Sequence, residues 1–163
     1  MGKNHVKIIM GSGADFEYCK KIGGALERFD IPYEYRVGSA HKTPGHALDM
    51  LSEDDGEMNL VYITVAGRSN ALSGFCDANT HRPVIACPPY SDRFGGADIF
   101  SSLRSPSGVG AATVLEPEAA AIAVAKMFAL SDEELAKRIK AYQEEAKQKI
   151  LAADKELRGY GKC

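Results

Sequence analysis

His5-Val6-Lys7-Ile8-Ile9-Met10, halted by Gly11-Ser12-Gly13 and followed from Asp15 by Tyr18, Cys19, Ile22, Leu26 and Phe29 at helical spacing, is the stretch on which the fold turns. A short aliphatic run, a glycine-bounded turn and an apolar stripe of period 3.6 read as strand, tight turn, helix. The unit recurs. Tyr33 to Val37 is strand-like, and Thr43-Pro44 opens a helix through Leu51. Leu60-Val61-Tyr62-Ile63-Thr64-Val65-Ala66 is a continuous apolar run of buried-strand type, with a weaker helix from about Ser69. Pro83 to Cys87 makes a fourth strand, closed by Pro88-Pro89. Val109 to Leu115 makes a fifth, and Glu116-Pro117-Glu118 starts a helix to about Ala129. Proline in the first turn beside an acid suits the free amides and dipole of a helix start.

Strands and helices in alternation, with strands too apolar to keep a wet face, call for a parallel sheet covered on both sides. The expected fold is therefore α/β: a three-layer, doubly wound sheet of about five strands over residues 1–130. In such sheets ligands bind beyond the carboxyl ends of the strands. Five loops are expected there: Gly11 to Asp15, Ser39 to Lys42, Gly67 to Asn70, Cys87 to Tyr90 and Ser107 to Gly110. Residues 131–163 differ in kind. Ser131 and Glu134 form a capping-box pattern, and Leu135, Ile139, Tyr142, Ala146, Ile150, Ala153 and Leu157 recur every three or four residues. This long C-terminal helix, roughly 38 Å at 1.5 Å per residue, outreaches a domain of this size. It is expected to pack on the core or on a neighbouring subunit.

The 163 residues suffice for one ordinary domain. Twenty Lys and Arg against 22 Asp and Glu leave a formal charge of −2, with no surplus positive field for a polyanion, so nucleic acid is not an expected partner. Cys19, Cys76, Cys87 and Cys163 form no CxxC pair and no disulfide framework, which fits a reducing cytoplasm. No apolar run approaches the ~18 residues of a membrane span, and neither an export signal nor an anchor is expected.

Each loop has a chemistry. Gly11-Ser12-Gly13-Ala14-Asp15 lets a ligand approach backbone at a helix start, where a phosphate fits; the plain alternative is a tight turn with Asp15 capping the helix. His41 leaves the sheet on the ligand-binding edge and can carry a proton near neutrality, with Lys42 beside it to meet an anion. The five-residue gap between His41 and His46 does not suit a helical metal pair, and no metal site is expected. Gly67-Arg68-Ser69-Asn70 offers donors to carboxylate oxygens; the plain alternative is a glycine turn with a helix cap at Ser69. Cys87-Pro88-Pro89-Tyr90 and Ser105-Pro106-Ser107-Gly108-Val109-Gly110 read as pocket walls, and Cys87, with no evident base, as a structural thiol. On residues alone, the chain is a doubly wound domain for a small phosphorylated ligand, with His41 as candidate acid/base.

The segments MGSGAD, RVGSAHKTP, VAGRSNALSG, PVIACPP and SSLRSPSGVGAATV, in this order and spacing, resemble the phosphoribosylaminoimidazole carboxylase family of de novo purine synthesis over residues 5 to 130. That family has two branches. One moves a carboxylate from N5 to C4 of carboxyaminoimidazole ribonucleotide, and the other adds CO2 directly to aminoimidazole ribonucleotide. Mutases of the family typically carry Arg after the histidine of the second loop and a third loop with a histidine of its own. Lys42 and Ala66 to Gly74 are instead similar to the direct carboxylases fused in animals, which implies the CO2-using branch, a carbon–carbon lyase. The resemblance further implies Ser12, Ser39 and Lys42 near the 5′-phosphate, Asp15 at the ribose hydroxyls and His41 at the reacting carbon, with Gly13 also among the substrate-binding residues. It assigns Gly67, Arg68, Ser69, Asn70, Ser107 and Gly108 to the carboxylate. It implies no cofactor, and a homo-oligomer, tetramer or octamer, with sites near subunit contacts. Ala14 departs from the serine common in the family, shifting phosphate binding toward backbone amides, Ser12, Ser39 and Lys42. The alternative from another class is a non-catalytic, flavodoxin-like nucleotide-binding module, in which Tyr90 could stack on a flavin.

Overall fold

The computed structural model describes residues 3–53, 59–158 and 160. Five strands run parallel in the order β2-β1-β3-β4-β5: β1 (Asn4–Met10), β2 (Tyr33–Val37), β3 (Asn59–Val65), β4 (Val84–Ala86) and β5 (Ala112–Thr113). Helices α1 (Phe16–Glu27), α2 (Pro44–Ser52), α3 (Ala71–Ala78), α4 (Phe100–Leu103), α5 (Pro117–Phe128) and α6 (Glu133–Leu157) complete it. This is the expected doubly wound sheet with a long final helix. The fifth strand is shorter than expected, two residues rather than seven.

The period-2 geometry of the central strands sorts their side chains into two dry layers. Val6, Ile8 and Met10 of β1 and Val61, Ile63 and Val65 of β3 face α1 and α5, meeting Cys19, Ile22, Leu26, Ala121, Val124 and Phe128. Ile9, Leu60 and Tyr62 point the other way, onto Ala47 and Met50 of α2 and Leu72 and Cys76 of α3. Each fully buried aliphatic side chain contributes about 2 kcal/mol relative to exposure, so the β1–β3 pair anchors the domain from both sides. Gly38 marks a close approach: a methyl group on it would run into the Met50 side chain.

Lys7 interrupts the apolar β1 and is almost wholly buried on the α2 side. Its Nζ donates to Met50 O at 3.0 Å and lies 3.3 Å from Glu34 and 3.5 Å from Glu53. Glu53 is also bidentate with Arg36, whose Nη2 donates at 2.9 Å. A buried ammonium requires such neutralisation, and here it also fastens the end of α2 to the sheet.

The tail departs from expectation at its start. Asp132, not Ser131, caps α6, its Oδ1 accepting Leu135 N–H at 2.9 Å, and the other carboxylate oxygen accepts from Asn4 Nδ2 at 3.1 Å. Asp132 is thus tied to β1 as well as to its helix, a tertiary bond with no local signature. Ser131 Oγ meets Phe128 O instead. Leu135 and Ile139 are buried, and Tyr142 packs edge-on to Phe29. Beyond Tyr142 the stripe is uncovered, with Ile150 71% and Leu157 66% exposed. Cys163 lies outside the described residues. Among the described residues no helix is long and apolar enough to cross a membrane.

Arg36 beside Glu53 lowers the Glu53 carboxyl from 4.5 to about 2. A depressed native pKa means that the unfolded chain binds more protons in that interval, so this stabilisation is present above pH 4.5 and is lost as pH falls toward 2. Glu53→Gln should lower the melting temperature at neutral pH, and the gap from the parent protein should close across that window in thermal scans. A gap independent of pH would contradict the assignment.

Candidate functional site

Strand order reverses at β1: the chain runs from β1 out to β2 and returns to the other side as β3. The helix after β1 covers one face and the helix after β3 the other, so the two exits separate and leave a crevice. A cleft of about 570 Å³ occupies it, walled by the exits of β1, β2 and β3. Its volume suits a mononucleotide-sized ligand.

The first wall is Gly11, Ser12, Ala14 and Asp15. Gly11 N–H is tied to Val65 O at 2.9 Å, which joins this loop to the end of β3. Ser12 Oγ accepts Ala14 N–H at 3.2 Å and keeps its own proton to donate. Asp15 precedes α1 without making a side-chain cap, so the plain capping role is not taken up. Burial raises the Asp15 carboxyl above the ordinary range, while the charge of Arg68 works in the opposite direction. Ala14 presents a methyl where a serine would present a hydroxyl.

The second wall is Ser39 to Lys42. Ser39 Oγ accepts Lys42 N–H at 3.2 Å, and Thr43 Oγ1 accepts Ser39 N–H at 3.0 Å. These bonds close the loop on itself just before Pro44 starts α2, holding the His41 and Lys42 side chains at the exposed lip. The third wall is Ala66 to Ser69 with Leu72 behind it. Arg68 adopts left-handed backbone (φ 60°), an uncommon conformation for a residue with a side chain.

Ser12, Asp15, Ser39, His41, Lys42, Gly67, Arg68 and Ser69 therefore share one cleft. Four expected residues do not line it. Gly13 sits in a short 3-10 turn (Gly13–Asp15), exposed to solvent. Asn70, not Ser69, caps α3, and its buried amide is consumed inside the protein, accepting Ser73 N–H at 3.2 Å and donating to Ser102 Oγ at 2.9 Å. Ser107 and Gly108 lead into β5 rather than out of it, and a loop entering a parallel strand lies on the opposite rim. Gly110 N–H bonds Asp77 near the far end of α3 at 2.7 Å, confirming that position.

A second cavity of about 250 Å³ adjoins the cleft across Gly67 and Arg68, lined by Pro88, Pro89, Tyr90, Ile99 and Leu115 among others. Tyr18 of α1 ties its rim together: the hydroxyl lies 2.8 Å from Leu115 O, 3.2 Å from Pro88 O and 3.5 Å from Cys87 Sγ. Burial pushes the Cys87 thiol up to about 11, which leaves it protonated and a poor nucleophile at neutral pH. The cavity also owes its wall to a 3-10 segment (Arg93–Ile99) and α4, elements with no sequence periodicity to announce them. Tyr90 is 90% exposed and lies outside the cleft that holds His41.

The fold and site define a doubly wound α/β domain with a polar, histidine-bearing cleft at its switch point, where such sheets bind ligands. Residues 5–149 match the family described as AIR carboxylase, and the chain belongs to that family. It is 57% identical to a phosphoribosylaminoimidazole carboxylase of Archaeoglobus fulgidus, over 93% of this chain and 83% of that protein. It is 50% identical to the enzyme of the same name from Treponema denticola, over 94% and 97%. A human bifunctional phosphoribosylaminoimidazole carboxylase/phosphoribosylaminoimidazole succinocarboxamide synthetase is 42% identical, over 94% of this chain and 36% of the larger protein. The crystal structure of Treponema denticola PurE superposes with a TM-score of 0.92 at 49% identity, covering 95% of this chain and 99% of that one.

Proposed function

We propose that this protein carboxylates 5-aminoimidazole ribonucleotide at C4 with CO2, reversibly, to give carboxyaminoimidazole ribonucleotide. The observation that carries the reading is the convergence of His41, Lys42, Ser12, Ser39 and Asp15 with the Gly67–Ser69 wall in one cleft at the switch point. The family membership and the name shared by relatives at 57% and 50% identity support it.

The substrate is an enamine, so its C4 is already nucleophilic and CO2 already electrophilic. The 5-amino lone pair pushes through C5 and C4, C4 bonds to the carbon of CO2, and one C=O electron pair moves to oxygen as the carboxylate forms. C4 then carries both hydrogen and carboxylate. His41 removes that proton as general base, and the released C–H pair restores the aromatic ring. In the reverse direction the imidazolium returns the proton to C4 and CO2 leaves.

The remaining residues bind and orient. Lys42, Ser12 and Ser39 meet the 5′-phosphate. The expected shift toward backbone amides is limited in this loop, because the amides of Gly11, Ala14 and Asp15 are already spent within the protein; the Ser12 hydroxyl keeps a proton to donate. Asp15 accepts from the ribose hydroxyls. The wall at Gly67, Arg68 and Ser69 receives the forming carboxylate, where fixed donors in a sheltered site are worth most. The pairing of Lys42 with a third loop lacking histidine supports the CO2 branch over transfer from N5. The uncovered stripe from Ile150 to Leu157 supports a homo-oligomer, for which the reading takes a tetramer or octamer.

His41→Asn should reduce turnover by ~10²-fold or more while nucleotide affinity, read by calorimetry, stays within about twofold. Lys42→Ala should chiefly raise KM, the sign of lost uniform binding. Supplied with bicarbonate-derived CO2, the protein should turn over aminoimidazole ribonucleotide; reaction of the N5-carboxylated nucleotide alone would instead identify a mutase. Sedimentation at micromolar concentration should give an assembly of several chains, and a monomer would remove the oligomer.

A further inference from the structure

The paired serines that open the SSLRSPSGVGAATV stretch have no part in the chemistry above, yet Ser101 is bonded to the third wall of the cleft and Ser102 to Asn70, the residue that follows it. Ser101 Oγ of α4 accepts Asn70 N–H at 3.0 Å and lies within donating distance of Arg68 O at 3.0 Å and of Asp98 O at 2.8 Å. Ser102 Oγ accepts from the Asn70 side chain at 2.9 Å. Asn70 Oδ1 in turn accepts from Ser73 Oγ at 2.9 Å, and Ser73 Oγ pairs with Thr64 Oγ1 of β3 at 2.8 Å. Thr113 Oγ1 of β5 donates to Ser102 O at 2.8 Å. A chain of hydrogen bonds thus runs from the sheet through Asn70 to α4.

We propose that Ser101 is a positioning residue: its hydroxyl fixes the backbone on both sides of Ser69 and so holds the Gly67–Ser69 wall ready for the reacting carboxyl group. The inference rests on the carboxylate-holding role given to that wall. Arg68 sits in left-handed backbone, a conformation that costs free energy and persists only where the surroundings impose it. The Ser101 hydroxyl touches the carbonyl of Arg68 and the amide of Asn70, the groups flanking the residue after the strained one. Asn70 is independently anchored by its buried amide, so loss of the Ser101 bonds frees the Arg68 end of the loop while α3 stays capped. Ser101 lines the adjoining cavity and not the cleft, so it acts through the loop.

Ser101→Ala should lower kcat about tenfold, the scale of a reacting group misplaced by a fraction of an ångström, with the nucleotide KM and affinity within about twofold. Ser101→Thr, which keeps the hydroxyl, should recover most of the rate. Ser101→Cys carries the same test if the alanine variant does not fold. A kcat within about twofold of the parent, a KM rise as large as the kcat loss, or a threonine variant as impaired as alanine would each overturn the role. Each variant is compared with the parent on aminoimidazole ribonucleotide plus CO2 and on the N5-carboxylated nucleotide. If only the latter reacts, the CO2 branch fails while the variant-to-parent ratio still decides the role of Ser101.

Discussion

The parallel pairing of β1 with β3, which sets Ile8 against Ile63 and Met10 against Val65, is the constraint from which the rest follows. Both strands are dry on both faces, so each needs helices above and below. The chain leaves β1 toward one face and β3 toward the other, and the crevice between the two exits is an unavoidable product of that divergence. The cleft therefore comes from connectivity before any functional side chain is placed. Gly11 reinforces it, since its amide bonds the last carbonyl of β3 and locks the first loop to the third.

On that frame the three walls are held by different means. The first is braced by the sheet and by the start of α1. The second closes on itself through Ser39 and Thr43 and then enters α2, whose far end is fastened to the buried Lys7. The third is bonded to α4, where Ser101 Oγ lies 3.0 Å from the carbonyl of Arg68, a residue in left-handed backbone. Electrostatics reflects the same division: Asp15 is raised by burial and opposed by Arg68 across the cleft, so first and third walls are coupled by charge as well as by backbone.

Much of this was legible from residue pattern. Strand–turn–helix recurrence around residues 5–29, the apolar run at 60–66 and the proline-led helices all report local preference and burial, and each element formed within a few residues of expectation. The places where the structure differs from the expected arrangement share a cause. Ser131 looks like the cap of α6 by spacing, but Asp132 gains a second bond to Asn4, 128 positions away in sequence. Asn70 looks like a free donor, but a buried amide must satisfy both of its ends, and Ser73 and Ser102 do so. Ser107 and Gly108 look like part of the site by composition, but they enter β5 rather than leave it, and direction along a parallel strand decides the rim.

By itself the sequence determined the periodicity of the elements, the dryness of the central strands and the motifs that mark the family, because these are written in short-range residue order. Only the tertiary structure decided which loops share the cleft, that Arg68 is held in a conformation its own side chain disfavours, and that α4 braces it. The first follows from strand order and direction, and the other two depend on hydrogen bonds between residues some thirty positions apart, such as Arg68 and Asn70 with Ser101; no local preference encodes such pairings.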